Sequence, residues 1–113
     1  MVIIMKLELI ISGSSLTIPV SSPDSVTVSG TFDSLTFTNP YCSETYFVIG
    51  EQKNDIKFIT VEGSNLEVSK SEPNRVVITG DIKVFRYKND KGIPLRSYAV
   101  LPCDITIAEL EEF

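Results

Sequence analysis

Val26-Thr27-Val28-Ser29-Gly30 and Val76-Val77-Ile78-Thr79-Gly80 are one pattern written twice, 50 residues apart. The first alternates apolar and polar residues with period two, as a strand with one buried face must. Working outward, Gly13-Ser14-Ser15-Leu16-Thr17-Ile18 meets Gly63-Ser64-Asn65-Leu66-Glu67-Val68, Pro23 meets Pro73, and Leu35-Thr36-Phe37-Thr38-Asn39 meets Phe85-Arg86-Tyr87-Lys88-Asn89. Eight of 27 positions between Gly13 and Asn39 are identical in the second copy, against roughly two expected by chance at one offset. The reading is a tandem duplication of one β unit. Repeat 1 covers residues 7–50 and repeat 2 covers 57–101, with a C-terminal strand and acidic tail over 103–113.

A chain of 113 residues is one domain by length. A lone unit of half that size buries too little surface to be stable, so the copies are expected to share one core. The fold class is all-β, a sandwich or partly closed barrel of two pseudo-symmetric halves. Five short strands per repeat are expected, at 3–12, 15–20, 25–31, 33–38 and 44–50, then 56–62, 65–70, 75–81, 83–88 and 95–101. Ser12-Gly13-Ser14 and Glu62-Gly63-Ser64 read as tight hairpin turns. Ser22-Pro23-Asp24, Glu72-Pro73-Asn74 and Asn89-Asp90-Lys91-Gly92 read as further turns. The fifth strands align when two residues are inserted in the second copy, so that Thr45–Ile49 meets Ser97–Leu101. A final strand is placed near 103–107, and Ile107–Glu112 is the one helix-like stretch.

The buried parity slips within each copy. Val26, Val28 and Phe32 are even-numbered, whereas Leu35 and Phe37 are odd; Ile82 against Phe85 and Tyr87 repeats the slip. A β-bulge or sharp bend after Gly30 and Gly80 repairs the register.

Chemistry is conspicuous by what is missing. There is no histidine, which removes the commonest general base and metal ligand. No nucleophile elbow, P-loop, C-x-x-C or EF-hand loop occurs. Asp24, Asp33, Asp55, Asp81 and Asp104 could form carboxylate pairs, but most fall in or beside expected turns, where Asp caps backbone. Cys42 and Cys103 read as free thiols in a reducing compartment; a bridge between them would stabilise by about 4 kcal/mol. No enzyme, cofactor or metal is expected.

The net charge of −5 disfavours phosphate neutralisation, so no nucleic acid partner is expected. No run reaches the length of a membrane span, and Met1–Leu7 lacks the features of a signal peptide. The expected location is the cytoplasm, or a particle assembled after cytoplasmic synthesis. Residues 12–45 hold 15 Ser or Thr in 34 positions, with Asp24, Asp33 and Glu44 as the only charges. The second copy gathers Lys83, Arg86, Lys88, Lys91 and Arg96 in one stretch. Those five are the candidate interaction patch; lysines guarding a sheet edge are the plainer reading. Val2, Ile3 and Ile4 form a candidate strand-adding arm. Phe32, Phe37, Tyr46, Phe58, Phe85 and Tyr98 are core candidates that could instead line a ligand cavity.

The pattern from Gly63 to Tyr87, G-x-x-L-x-V, a turn, then V-x-I-x-G-x-I-x-x-F-x-Y, resembles the strand pattern of small sporulation-associated β proteins of bacteria. It implies no function for this chain. The expected function is a non-catalytic protein–protein interaction or assembly module that self-associates or binds a protein partner, in the form of a small structural subunit of a viral or phage particle. Two alternatives are a small inhibitor of a host protein, of the phage counter-defence type, and a small-ligand binding β-barrel.

Overall fold

The computed structural model describes residues 7–39, 44–47, 55–101 and 106–110. Val2, Ile3, Ile4, Cys42, Cys103 and Asp104 lie outside them. Among the described residues seven strands form one antiparallel sheet: β1 Leu7–Ser21, β2 Ser25–Asn39, β3 Glu44–Phe47, β4 Phe58–Glu72, β5 Arg75–Lys88, β6 Pro94–Leu101 and β7 Thr106–Leu110. The pairing order is β1-β2-β4-β5-β6-β7, with β3 on β2, and β1 also pairs β5. The four long strands therefore close a hydrogen-bond circuit, the partly closed barrel expected.

Two of the expected strands merge in each long one. Neither Ser12-Gly13-Ser14 nor Glu62-Gly63-Ser64 is a turn; β1 and β4 run straight through both. The glycines serve another need. A Cβ on Gly13 would lie 2.0 Å from the Thr31 carbonyl oxygen, and one on Gly63 would lie 2.1 Å from that of Asp81. Only glycine permits that approach. The left-handed residues are instead Ser15 and Asn65, at φ 55° and 54°.

The expected bend is present. Ser12 pairs Ser34 and Gly13 pairs Phe32, leaving Asp33 as the extra residue of a bulge; Glu62 pairs Val84 and Gly63 pairs Ile82, leaving Lys83. One extra residue turns the buried parity from even to odd. Gly30 and Gly80 adopt φ 150° and 139°, and Cβ atoms there would press on the Ser15 and Asn65 carbonyl oxygens at 2.9 and 2.6 Å.

These bends carry each long strand from one layer into another, as strands at sandwich corners do. Layer 1 runs β3, residues 34–39 of β2, 7–12 of β1, 75–80 of β5 and 67–72 of β4. Layer 2 runs β7, β6, residues 84–88 of β5, 58–62 of β4, 25–29 of β2 and 17–21 of β1. The two inter-hairpin ladders share one register at the 50-residue offset. Ser12↔Arg75 through Glu8↔Thr79 corresponds to Glu62↔Ser25 through Phe58↔Ser29. Gly13 N–H donates to the Asn74 carbonyl at 3.0 Å, and Gly63 N–H to the Asp24 carbonyl at 3.1 Å, so each hairpin tip seats in the other hairpin's bulge. This is a correspondence of pairing; a duplication in descent is not confirmed by it.

A single core lies between the layers. Its layer 1 side is Leu9, Ile11, Leu35, Phe37, Val76 and Ile78; its layer 2 side is Val26, Val28, Ile59, Val61, Phe85 and Tyr87. Full burial of each aliphatic side chain contributes about 1.5–3 kcal/mol. Phe37 stacks on Phe85 across the layers, centroids 6.4 Å apart.

The outer strands depart from expectation. Thr36↔Phe47 corresponds to Arg86↔Ser97 at an unshifted offset of 50, so the two-residue insertion is not used in the ladder. The stretch read as helix-like is β7, antiparallel to β6 from Leu101↔Thr106 to Ser97↔Leu110; an open edge on β6 outweighs weak helical spacing in so short a segment. The Pro23 and Pro73 turns and the Asn89 turn stand where expected. Asn89 Oδ1 accepts the Lys91 and Ile93 N–H groups at 2.9 Å each, and Gly92 sits at φ 78°.

Candidate functional site

Strand alternation sorts the basic stretch before any tertiary contact does. Arg86 and Lys88 sit on the outer face of β5, alternating with the buried Phe85 and Tyr87. Arg96 pairs Tyr87 in the β5–β6 ladder and so shares the opposite face. Lys83 occupies the bulge, and Lys91 lies in the exposed β5–β6 turn. Arg86 Nη1 meets Glu62 Oε2 at 2.6 Å, and Lys83 Nζ lies 3.7 Å from Asp81 Oδ2. The stretch is contiguous in sequence and divided in space. What it brings together at one end of layer 2 is Lys88, Lys91 and Lys57, whose N–H donates to the Lys88 carbonyl at 2.8 Å.

The outer faces of the layers are built from equivalent positions with different chemistry. On layer 1, cross-strand register produces the row Thr36–Ile10–Val77–Ser69. It is uncharged, and Ile10 and Val77 are only half-buried. Its counterpart on layer 2 is Arg86–Thr60–Thr27–Val20. There the polar groups satisfy one another: Thr27 and Thr60 hydroxyls lie 3.4 Å apart and Arg86 holds Glu62.

The aromatic candidates divide in the same manner. Phe32, Phe37, Phe85 and Tyr98 are core, and Phe58 is half-buried on the outer face. Tyr46 lies in β3 opposite Phe37. Tyr87, which the sequence offered only as a core position, carries the unusual feature. It packs against Phe85 and Tyr98, centroids 6.3 and 5.4 Å away. Its hydroxyl is fully buried with no hydrogen-bond partner among the described residues. Burial pushes its pKa well above the ordinary tyrosine value of 10.0; Tyr98 adds to this and the Arg96 charge opposes it. The Ser97 hydroxyl is likewise buried and unpartnered. No hydropathy signal distinguishes such a phenol from a satisfied one.

Of the carboxylates, Asp24 is at a hairpin tip, as expected. Asp33 and Asp81 are within strands rather than turns, and Asp81 accepts the Ser64 hydroxyl at 3.2 Å. Among the described residues no cluster of His, Cys, Asp or Glu could hold a metal ion, and no helix is long and apolar enough to cross a membrane. Comparison with family models, curated proteins and solved structures finds no match to this chain.

Proposed function

We propose that this chain is a non-catalytic protein–protein interaction or assembly module, working as a small structural subunit of a viral or phage particle. The observation that carries this reading is the outer face of layer 1. Its Thr36–Ile10–Val77–Ser69 centre is uncharged and half-exposed, so covering it costs little desolvation. Glu8, Glu67, Glu72 and Arg75 rim it, and an apolar centre with a polar rim is interface anatomy. Light scattering on a sizing column, over a concentration and salt series, tests the reading. Concentration-dependent mass is expected, falling as salt rises; a strict monomer throughout overturns assembly.

The unpartnered Tyr87 hydroxyl amid Phe85 and Tyr98 favours a second reading, a small-ligand binding barrel. That reading expects thermal stabilisation by small phenols or aromatic amides that the Tyr87→Phe variant lacks.

A further inference from the structure

Each layer presents a second outer row at equivalent ladder positions. On layer 1 it reads Thr38–Glu8–Thr79–Glu67. On layer 2 it reads Lys88–Phe58–Ser29–Thr17, with Lys57 bonded beside Lys88. The backbones of the two rows follow one register at the 50-residue offset, while their charges have opposite sign. Resting on the assembly reading above, we propose that the partner is a second copy of this chain, and that the Glu8 row of one copy docks on the Lys88 row of the next.

Three observations support that occupant over others. First, neither Glu8 nor Lys88 makes an ion pair among the described residues, so each charge is available to a partner. The one charged pair central to the layer 2 face, Arg86 with Glu62, lies a row away and is closed within the chain. Second, the rows are matched in form. Each is four strands wide and includes a half-buried Thr or Ser, so ladder spacing on one face fits ladder spacing on the other. Phe58, half-buried beside Lys88, adds the apolar contact that charge alone lacks. Third, the overall charge of −5 repels phosphate-rich partners and leaves another copy's acidic face as a complement to this local basic end.

Two different faces make the contact heterologous, so a pair of copies retains one unused face of each sign. The assembly grows head to tail, and salt weakens it because the rows are partly exposed.

The decisive experiment uses Glu8→Lys and Lys88→Glu, each on an outer face away from the core. Circular dichroism and melting temperature establish that both fold. Each variant alone is expected to lower the association constant by about tenfold or more, since like charges then face each other. An equimolar mixture is expected to restore association, because the intact Lys88 row of one variant meets the intact Glu8 row of the other and the two reversed rows again carry opposite charge. Wild-type-like association of both variants overturns this pairing and leaves the broader assembly reading standing. A mixture that stays monomeric also overturns it, as does association that disappears from the wild type on nuclease treatment. A wild type monomeric at low salt overturns both readings at once.

Discussion

The β1–β2 hairpin and the β4–β5 hairpin share one scaffold and differ in how they treat water. They have the same bulge, the same corner and the same turn, placed by Gly13, Gly30 and Pro23 in one and by Gly63, Gly80 and Pro73 in the other. The first is trimmed almost to Ser, Thr and apolar residues, whereas the second is rich in charges and holds Lys83 with Asp81 and Arg86 with Glu62 in local pairs. The difference extends to the free sides of the long strands. Residues 67–72 present Glu67, Lys70 and Glu72, charged residues of the type that discourage edge pairing. Residues 17–21 carry no charge and rely on Pro19. Pro19 stands where Ser69 stands in the other hairpin and has no N–H for a ladder, and the register slips there: Val20 pairs Thr27, whereas Ser69 pairs Val77. A backbone plan is thus held by a few residues in each hairpin, while the surface chemistry around it differs.

The largest expected effect tests whether the two corners are equivalent. Gly13→Ala and Gly63→Ala each drive a methyl into a backbone carbonyl, and each should cost about 3 kcal/mol or more. Urea unfolding checks this; a small loss in only one hairpin would break the equivalence. Next, Tyr87 occupies the place of Phe37 in the other hairpin. Tyr87→Phe removes an unsatisfied buried hydroxyl and should raise stability by about 1–2 kcal/mol, read as a rise of several degrees in melting temperature. The same residue sets an alkaline limit. Its folded pKa is raised, so above the unfolded value near 10 the unfolded chain gives up a proton that the folded chain keeps. Stability is full below that pH and falls above it, at up to about 1.4 kcal/mol per pH unit. An alkaline titration of the Tyr87→Phe variant should lose this component of the slope.

A smaller effect concerns the edges. Lys70 Nζ donates to the Leu16 carbonyl at 2.5 Å, bridging the hairpins, and its counterpart is the exposed Val20. Lys70→Met should cost about 1 kcal/mol, and Val20→Met close to nothing. The smallest is the Arg86–Glu62 pair. A double-mutant cycle on this partly exposed bridge should return about 0.5 kcal/mol or less.

The fold was legible where the information is local. Alternation marked the strands, and the parity slip between Phe32 and Leu35 located the bulge to within a residue or two. Gly13 was misread because a glycine between serines carries the same local signature for a turn as for a close approach. What decides between them is the Thr31 carbonyl, which arrives from another strand. Ile107–Leu110 was misread for a related reason, since the β6 edge that recruits it is remote in sequence. The candidate patch was legible as composition only. Alternation explains why Arg86 and Arg96 face opposite ways, but Glu62 opposite Arg86 and the unpartnered Tyr87 hydroxyl follow from pairings that the sequence does not display.

The closed circuit of β1, β2, β4 and β5 also sets an order of events in time. Each hairpin can form from neighbours joined by a short turn, but the ladder from Leu7↔Gly80 to Ser12↔Arg75 joins the first of the four long strands to the last. Its loop entropy must be overcome before any of its bonds form. Folding should therefore be fast to two hairpins and slow to the ring. Until the ring shuts, residues 7–12 and 75–80 are each paired on one side only, and each leaves open the edge that receives the other.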